Sequence, residues 1–275
     1  MKGGVARMPL LEIDDVSMYF GGLQAVGNLD LTIDQGEIRG LIGPNGAGKT
    51  TLFNVISGIY IPTKGRMVFK GKDITLFRPH ATARMGIIRT FQAITLFKNF
   101  SVLKNVMVGC HLYSKYSFWG ALFNSSTTVQ NERENERKAM RILEFMGLAQ
   151  YKDELAVNLP HGHQRALGIS IALAGEPELL MLDEPTTGMN IEETAAMMGL
   201  ISKIHENGMT IILIEHDMKV VMGLCHKITV LNFGKKIAEG TPSEIRENRD
   251  VHEAYLGGED YVARRQEYKG ALRQG

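Results

Sequence analysis

The chain lacks the means for a disulfide framework, a membrane span or a nucleic-acid patch. Cys110 and Cys225 stand far apart and outside any Cys-x-x-Cys spacing, which argues against a disulfide or a zinc site and suits a reducing compartment. No stretch approaches the roughly 20 apolar residues of a spanning helix. The first residues, MKGGVARMPLLEIDDV, meet acids too soon for a signal peptide. No Lys/Arg run is dense enough for a nucleic-acid patch and the net charge is +1, so no nucleic acid is the expected partner. Internal repeats and low-complexity segments are also missing. What remains is 275 residues, 44% hydrophobic and 22% charged, enough to bury a substantial core in one large or two small domains.

From Leu10 to Ile33 apolar and polar residues alternate around Gly21 and Gly22, which predicts antiparallel strands about a turn. Glu37 to Ile42 is a short apolar strand running into a Gly-rich loop and then into the helical pattern TTLFNVISGI. PTKGRMVFKGKDI reads as a hairpin. After Pro79 the pattern turns helical through Leu143, Phe145 and Met146, marking an inserted helical region. Within it, the charge-dense Asn131 to Arg141 reads as a solvated helix face. From Glu178 onward LLMLDE, a helix over 192–206, TIILIEHD, a helix over 218–223 and ITVLNF alternate. Continuous apolar strands between helices predict a parallel sheet covered on both faces. The tail from Thr241 reads as a small helical appendix.

Two motifs carry chemistry. Gly43-Pro44-Asn45-Gly46-Ala47-Gly48-Lys49-Thr50 fits GxxxxGK[ST], the Walker A pattern, and Thr51 follows it. Inward-facing backbone N–H groups need glycine's conformational freedom, and the next helix aims its positive end at the phosphates. Lys49 suits the β- and γ-phosphates, and the Thr50 hydroxyl suits Mg²⁺. Leu179 to Glu184 (LLMLDE) is an apolar strand ending in two acids, the Walker B pattern. Such a strand delivers Asp183 to the Mg²⁺ shell, while Glu184, one residue on, can polarise the attacking water.

In order, the sequence carries Phe20 before Gly21, the Walker A loop, Gln92 in RTFQ, LPHGHQR at Leu159 to Arg165, LLMLDEP, Gly188-Met189-Asn190 in TGMN, and His216 in IEHD. This series resembles the ATP-binding cassette (ABC) ATPases over residues 10–240. The resemblance implies an α/β fold: a P-loop NTPase (RecA-like) core with an N-terminal antiparallel β-subdomain and an inserted α-helical subdomain. It places one cassette at 8–240, with core and β-subdomain at about 8–92 and 165–240, the helical subdomain at about 93–164, and a helical extension at 241–275. It implies ATP and Mg²⁺ as cofactors. Phe20 would stack on adenine, with Tyr19 as the fallback. Gln92 would sense Mg²⁺ and the transmembrane partner, joining Thr50 and Asp183 at the metal. Leu159, Pro160, His161, Gly162, His163 and Gln164 would form the signature loop facing ATP on an opposite subunit. Gly188, Met189 and Asn190 would form the D-loop, and His216 would reach the γ-phosphate. Glu184, His216, Gln92 and Lys49 are the catalytic set.

Two departures stand out. The family's usual signature is LSGGQ; here Pro160 replaces the hydroxyl donor and lacks an N–H, and His161 stands at a glycine position. Asn190 ends the D-loop where Asp is commoner. A consequence-free family variant and an asymmetric dimer with one weaker ATP site both fit.

FGGLQAVGNLDLTIDQGEIRGLIGPNGAGKTTLFNVISGIY at the front and IEHDMKVVMGLCHKITVLNFGKKIAEGTPSEIRENRDVHEAYLGG at the back resemble the LivG-type ATPases of branched-chain amino acid uptake. That branch implies a bacterial importer with transmembrane permease subunits, a second, non-identical ABC ATPase and, indirectly, an external solute-binding protein. The chain would sit peripherally on the cytoplasmic face of the inner membrane, and Phe97, Phe100, Phe118 and Trp119 either dock a membrane subunit or fill the helical subdomain's core. Rival readings are an importer for urea, amides or aromatic acids, an exporter such as the lipopolysaccharide type, a cassette protein of DNA repair or translation, and a regulatory subunit with little hydrolysis.

Overall fold

A computed structural model describes residues 8–90, 96–110 and 126–256. The chain begins with strands β1 (Leu11–Phe20), β2 (Leu23–Ile33) and β3 (Ile38–Ile42), helix α1 (Lys49–Ile56), and strands β4 (Lys64–Phe69) and β5 (Lys72–Asp73). Then come α2 (Pro79–Arg84), β6 (Ile87–Arg89), α3 (Val102–Cys110), α4 (Ser126–Phe145), α5 (His161–Ala174), β7 (Leu179–Asp183) and α6 (Ile191–Glu206). The last elements are β8 (Thr210–Ile214), α7 (Met218–Leu224), β9 (Lys227–Asn232), β10 (Lys235–Gly240), α8 (Pro242–Glu247) and α9 (Arg249–Leu256). Two compact units divide the chain, one drawn from Met1–Phe77 with Leu213–Gly275, the other from Arg78–Ile212.

In the first unit an antiparallel sheet runs in the order β2-β1-β4-β5. Leu11, Ile13 and Val16 of β1 are buried beside Leu29, Leu31 and Ile33 of β2, each full burial contributing roughly 1.5–3 kcal/mol. β3 is buried at every position and runs parallel to β9, with β10 antiparallel on β9's other side. Inside this group lies a charge. Arg39 is 1% exposed. Its guanidinium donates to Glu37 at 2.9 Å, to Thr229 Oγ1 at 3.1 Å, to Glu239 at 2.8 Å and to the Thr32 carbonyl at 2.8 Å. The planar fork thus ties β2, β3, β9 and β10 with charge-assisted bonds.

In the second unit β6 runs parallel to β7, with Ile87, Ile88 and Arg89 opposite Leu179, Leu180 and Met181. The helical reading after Pro79 misses β6. Helix α2 starts with Pro79 in its first turn and stops before Gly86, and the three-residue strand follows. Asn105 of α3 is fully buried; its side chain accepts from the Phe97 N–H at 2.9 Å and donates to the carbonyls of Phe97, Phe100 and Ser101. It thereby fixes the segment leading into α3. Cys110 and Cys225 are free and buried; burial raises the Cys110 thiol pKa and pushes that of Cys225 up to about 12, so neither is poised as a nucleophile. Among the described residues no helix is long and apolar enough to cross a membrane.

Removing Arg39 leaves the buried Glu37 without its cation. Arg39→Ala is expected to lower the unfolding free energy by about 3–5 kcal/mol in urea titrations. The Glu239 carboxyl is raised by burial, but hydrogen bonds from Lys236 and Arg39 outweigh this and bring it below 4.5. A depressed carboxylate stabilises the fold above its unfolded pKa and loses that contribution as pH falls through the folded value. Wild type and Glu239→Gln should therefore differ in stability at neutral pH and converge as the pH drops below 4.5.

Candidate nucleotide site

In the first unit the phosphate loop leaves the end of β3 and returns as α1. Two glycines are forced by close approach. A Cβ on Gly43 (φ 149°) would lie 2.1 Å from the Leu231 carbonyl oxygen, and one on Gly48 (φ 99°) would lie 2.5 Å from that of Ala25. Ala47 donates to Pro44 O at 3.1 Å and accepts from Gly234 N at 3.0 Å, closing the loop on β9's exit. Gly48 caps α1 without any side-chain hydrogen bond, which leaves first-turn N–H groups suited to an anion. Lys49 is buried and folds its ammonium back onto the carbonyls of Gly43 at 2.7 Å and Pro44 at 3.0 Å. Asn45, Gly46 and Thr50 are exposed. A cleft of about 290 Å³ opens beside the loop, lined by Asn45, Gly46, Phe233 and Glu253 among others.

Phe20 closes β1 with 42% exposure, its ring edge-on to Tyr60 at 5.2 Å. A half-open aromatic face of this kind can stack on a base. Tyr19 is engaged instead through its hydroxyl, which accepts from Gln24 at 2.9 Å. His216 follows β8 and is exposed rather than buried, and its N–H donates to Glu215 Oε2 at 3.1 Å. The next residue, Asp217, caps α7 by accepting from Lys219 N.

In the second unit the buried strand β7 ends at Asp183, whose carboxylate takes a hydrogen bond from Arg89 at 2.6 Å. Glu184 follows with a left-handed φ of 49°. That conformation is costly for a residue with a Cβ and clusters at functional sites. Its Oε2 accepts from Thr187 Oγ1 at 3.2 Å. Met189 is half-buried. Asn190 caps α6 in a reciprocal arrangement with Glu193, each side chain accepting from the other's backbone N–H. Asn and Asp cap equally well, so Asn190 keeps this local role. The signature residues open α5: Leu159 is buried, Pro160 occupies the cap, and His161, Gly162, His163 and Gln164 form the first turn. Gln164 Nε2 donates to Leu159 O at 2.8 Å, and His163 sits edge-on to Tyr151 at 5.1 Å. Gln92, Phe118 and Trp119 lie outside the described residues.

Sequence reasoning missed Arg89 and Tyr255. The Arg89 bond joins residues 94 positions apart, and no local pattern announces it. Tyr255 lies in the tail, read only as a helical appendix; burial raises its phenol pKa, partly offset by a hydrogen bond from the Gly43 backbone. Helix α9 thus touches the start of the phosphate loop.

The sequence profile described as "ABC transporter" matches residues 26–187, and that of the branched-chain amino acid ATP-binding cassette transporters matches residues 235–261. The high-affinity branched-chain amino acid transport ATP-binding protein BraF of Pseudomonas aeruginosa is 41% identical over 250 residues, covering 90% of this chain and 98% of its own length. LivG of Escherichia coli is 42% identical with the same coverage. A solved nucleotide-free ATP-binding cassette from an ABC transporter superposes with a TM-score of 0.80 at 31% identity, over 91% of this chain and all 100% of that one. A cassette in its ADP conformation gives 0.79 and 30%, over 91% and 99%. With the profile spanning most of the cassette and such identity over nearly the whole length, the chain belongs to the ABC transporter family as one of its ATP-hydrolysing cassettes.

Proposed function

We propose that this chain powers an importer of branched-chain or closely related amino acids, as a peripheral subunit on the cytoplasmic face of a bacterial membrane. One observation carries the reading of the cargo: the branched-chain profile match at residues 235–261, behind the cassette. The identity to BraF and LivG over 98% of their lengths supports it. The motor works with transmembrane permease subunits and a second, non-identical ABC ATPase, and indirectly with an external solute-binding protein. Transport of radiolabelled leucine, urea and an aromatic acid into vesicles holding the complete complex tests this: leucine uptake above the others is expected.

Each side chain then has a task. Phe20 stacks on adenine, and the N–H groups of the Gly43 to Thr51 segment receive the phosphates. Lys49 exchanges its bonds to Gly43 and Pro44 for the β- and γ-phosphates. Thr50 and Asp183 offer hard oxygen donors that fit Mg²⁺, with Gln92 as a further ligand. Among the described residues no group of three or more His, Cys, Asp or Glu could hold a metal alone, as suits a cation that relies on phosphate oxygens and water. When bound, Mg²⁺ neutralises charge on the transferring phosphoryl group. Glu184 orients and polarises the water, and His216 contacts the γ-phosphate. The stacked rings of Phe97 and Phe100, 48% and 44% exposed, offer the permease an apolar foothold.

The second ATPase supplies the signature opposite this chain's Walker A loop, and Leu159 to Gln164 completes a weaker site on the partner. The hydroxyl missing at Pro160 and the imidazole at His161, where the family's usual signature has serine and glycine, support the asymmetry. In the assembled transporter Glu184→Gln is expected to cut ATP turnover by about a hundred- to ten-thousand-fold, the range for a lost general base. The equivalent change in the second ATPase should cost far less; equal losses would remove the asymmetry.

A further inference from the structure

The Walker B carboxylate carries a partner that the nucleotide chemistry does not require. Arg89, the last residue of β6, places Nη2 2.6 Å from Asp183 Oδ2. The two side chains are 7% and 5% exposed, so the pair is poorly screened and its geometry is confined by packing. The backbone reinforces it: Thr90 N donates to Met181 O at 2.9 Å, and Asp183 N donates to Thr90 Oγ1 at 3.4 Å. A largely apolar cavity of about 280 Å³, lined by Ile88, Val108 and Ile169 as well as Arg89, Arg165 and Asp183, adjoins the pair.

We propose that Arg89 is a positioning residue for Asp183 that sets the Mg²⁺ affinity of the nucleotide site. The inference rests on the reading that Asp183 serves Mg²⁺. The guanidinium holds Asp183 Oδ2, so that Oδ1 would be the oxygen to serve the metal. Its positive charge opposes a second cation at the same carboxylate, so Mg²⁺ binds more weakly than it would to an unpaired aspartate. The site thereby avoids an uncompensated buried anion between turnovers, and Mg²⁺ is held firmly only when it arrives with the polyphosphate.

The test is binding of a fluorescent ADP analogue to the purified full chain as free Mg²⁺ is titrated, with EDTA as the metal-free reference. Arg89→Met keeps the apolar stem and removes the charge. The expected result is a half-saturating Mg²⁺ concentration lowered about tenfold, a size ordinary for a close charge pair, with nucleotide affinity in EDTA unchanged. In an Asp183→Asn background the same substitution should do nothing further. If Arg89→Met does not fold, Arg89→Gln, which retains a hydrogen-bond donor, should shift the Mg²⁺ midpoint the same way. A midpoint unchanged or raised in a folded variant overturns the proposal, as does an equal shift in the Asp183→Asn background. Should Asp183→Asn alone leave the Mg²⁺ dependence untouched, the reading of Asp183 fails first and takes the proposal with it.

Discussion

Arg39 carries a full positive charge where water cannot reach it, and the phosphate loop inherits its position from how that charge is matched. A lone buried cation would be prohibitively costly. Here the guanidinium is met by Glu37, Thr229, Glu239 and the Thr32 carbonyl, which belong to or adjoin β2, β3, β9 and β10. The same strands shape the loop. Gly43 leaves β3 with no room for a Cβ against the Leu231 carbonyl at the end of β9, and Gly48 has none against Ala25 in β2. One ion cluster thus fixes the strands, and the strands decide which positions must be glycine.

The second unit uses a similar device. Arg89 joins β6 to β7 through a buried carboxylate, but that carboxylate is the Walker B aspartate. In the proposed reading, structural and chemical demands therefore fall on the same atoms. Glu184, immediately after it, is held in a left-handed conformation that the chain would not adopt unless its surroundings required it. In the proposed reading, where Glu184 polarises the attacking water, a fixed backbone here would keep its carboxylate in place.

Much of this was legible from the sequence, for identifiable reasons. The Walker A loop announces itself because its glycines answer a local steric demand. Asp183 and Glu184 are visible because they end an apolar run. β1, β2 and the α6–β8–α7–β9 succession follow from periodicity alone. β6 was not legible: Ile87, Ile88 and Arg89 are too few to show a period, and their partner is β7, far along the chain. Polar β10 shows no strand period, although it pairs with β9. Asn190 shows how the fold qualifies a motif difference. It stands out as a departure when compared with a motif, yet it makes the capping bonds an aspartate would make.

The signature loop is where structure most changes the weight of a sequence difference. Pro160 lacks an N–H, which from sequence suggests one phosphate donor fewer. In the fold Pro160 is the cap residue of α5, and its carbonyl accepts from Gln164 N at 3.0 Å. The first-turn amides belong to His161, Gly162 and His163, and all three retain their N–H groups. An anion facing this helix end would meet an intact set of backbone donors and the favourable end of the dipole. What has changed is confined to side chains: a hydroxyl is gone, and an exposed imidazole stands at His161, its Cε1 3.4 Å from where Gly188 would carry a Cβ. If this loop completes a partner's ATP site, as proposed, the sequence change reaches that site through the lost hydroxyl and the added imidazole, because the amides themselves are still there.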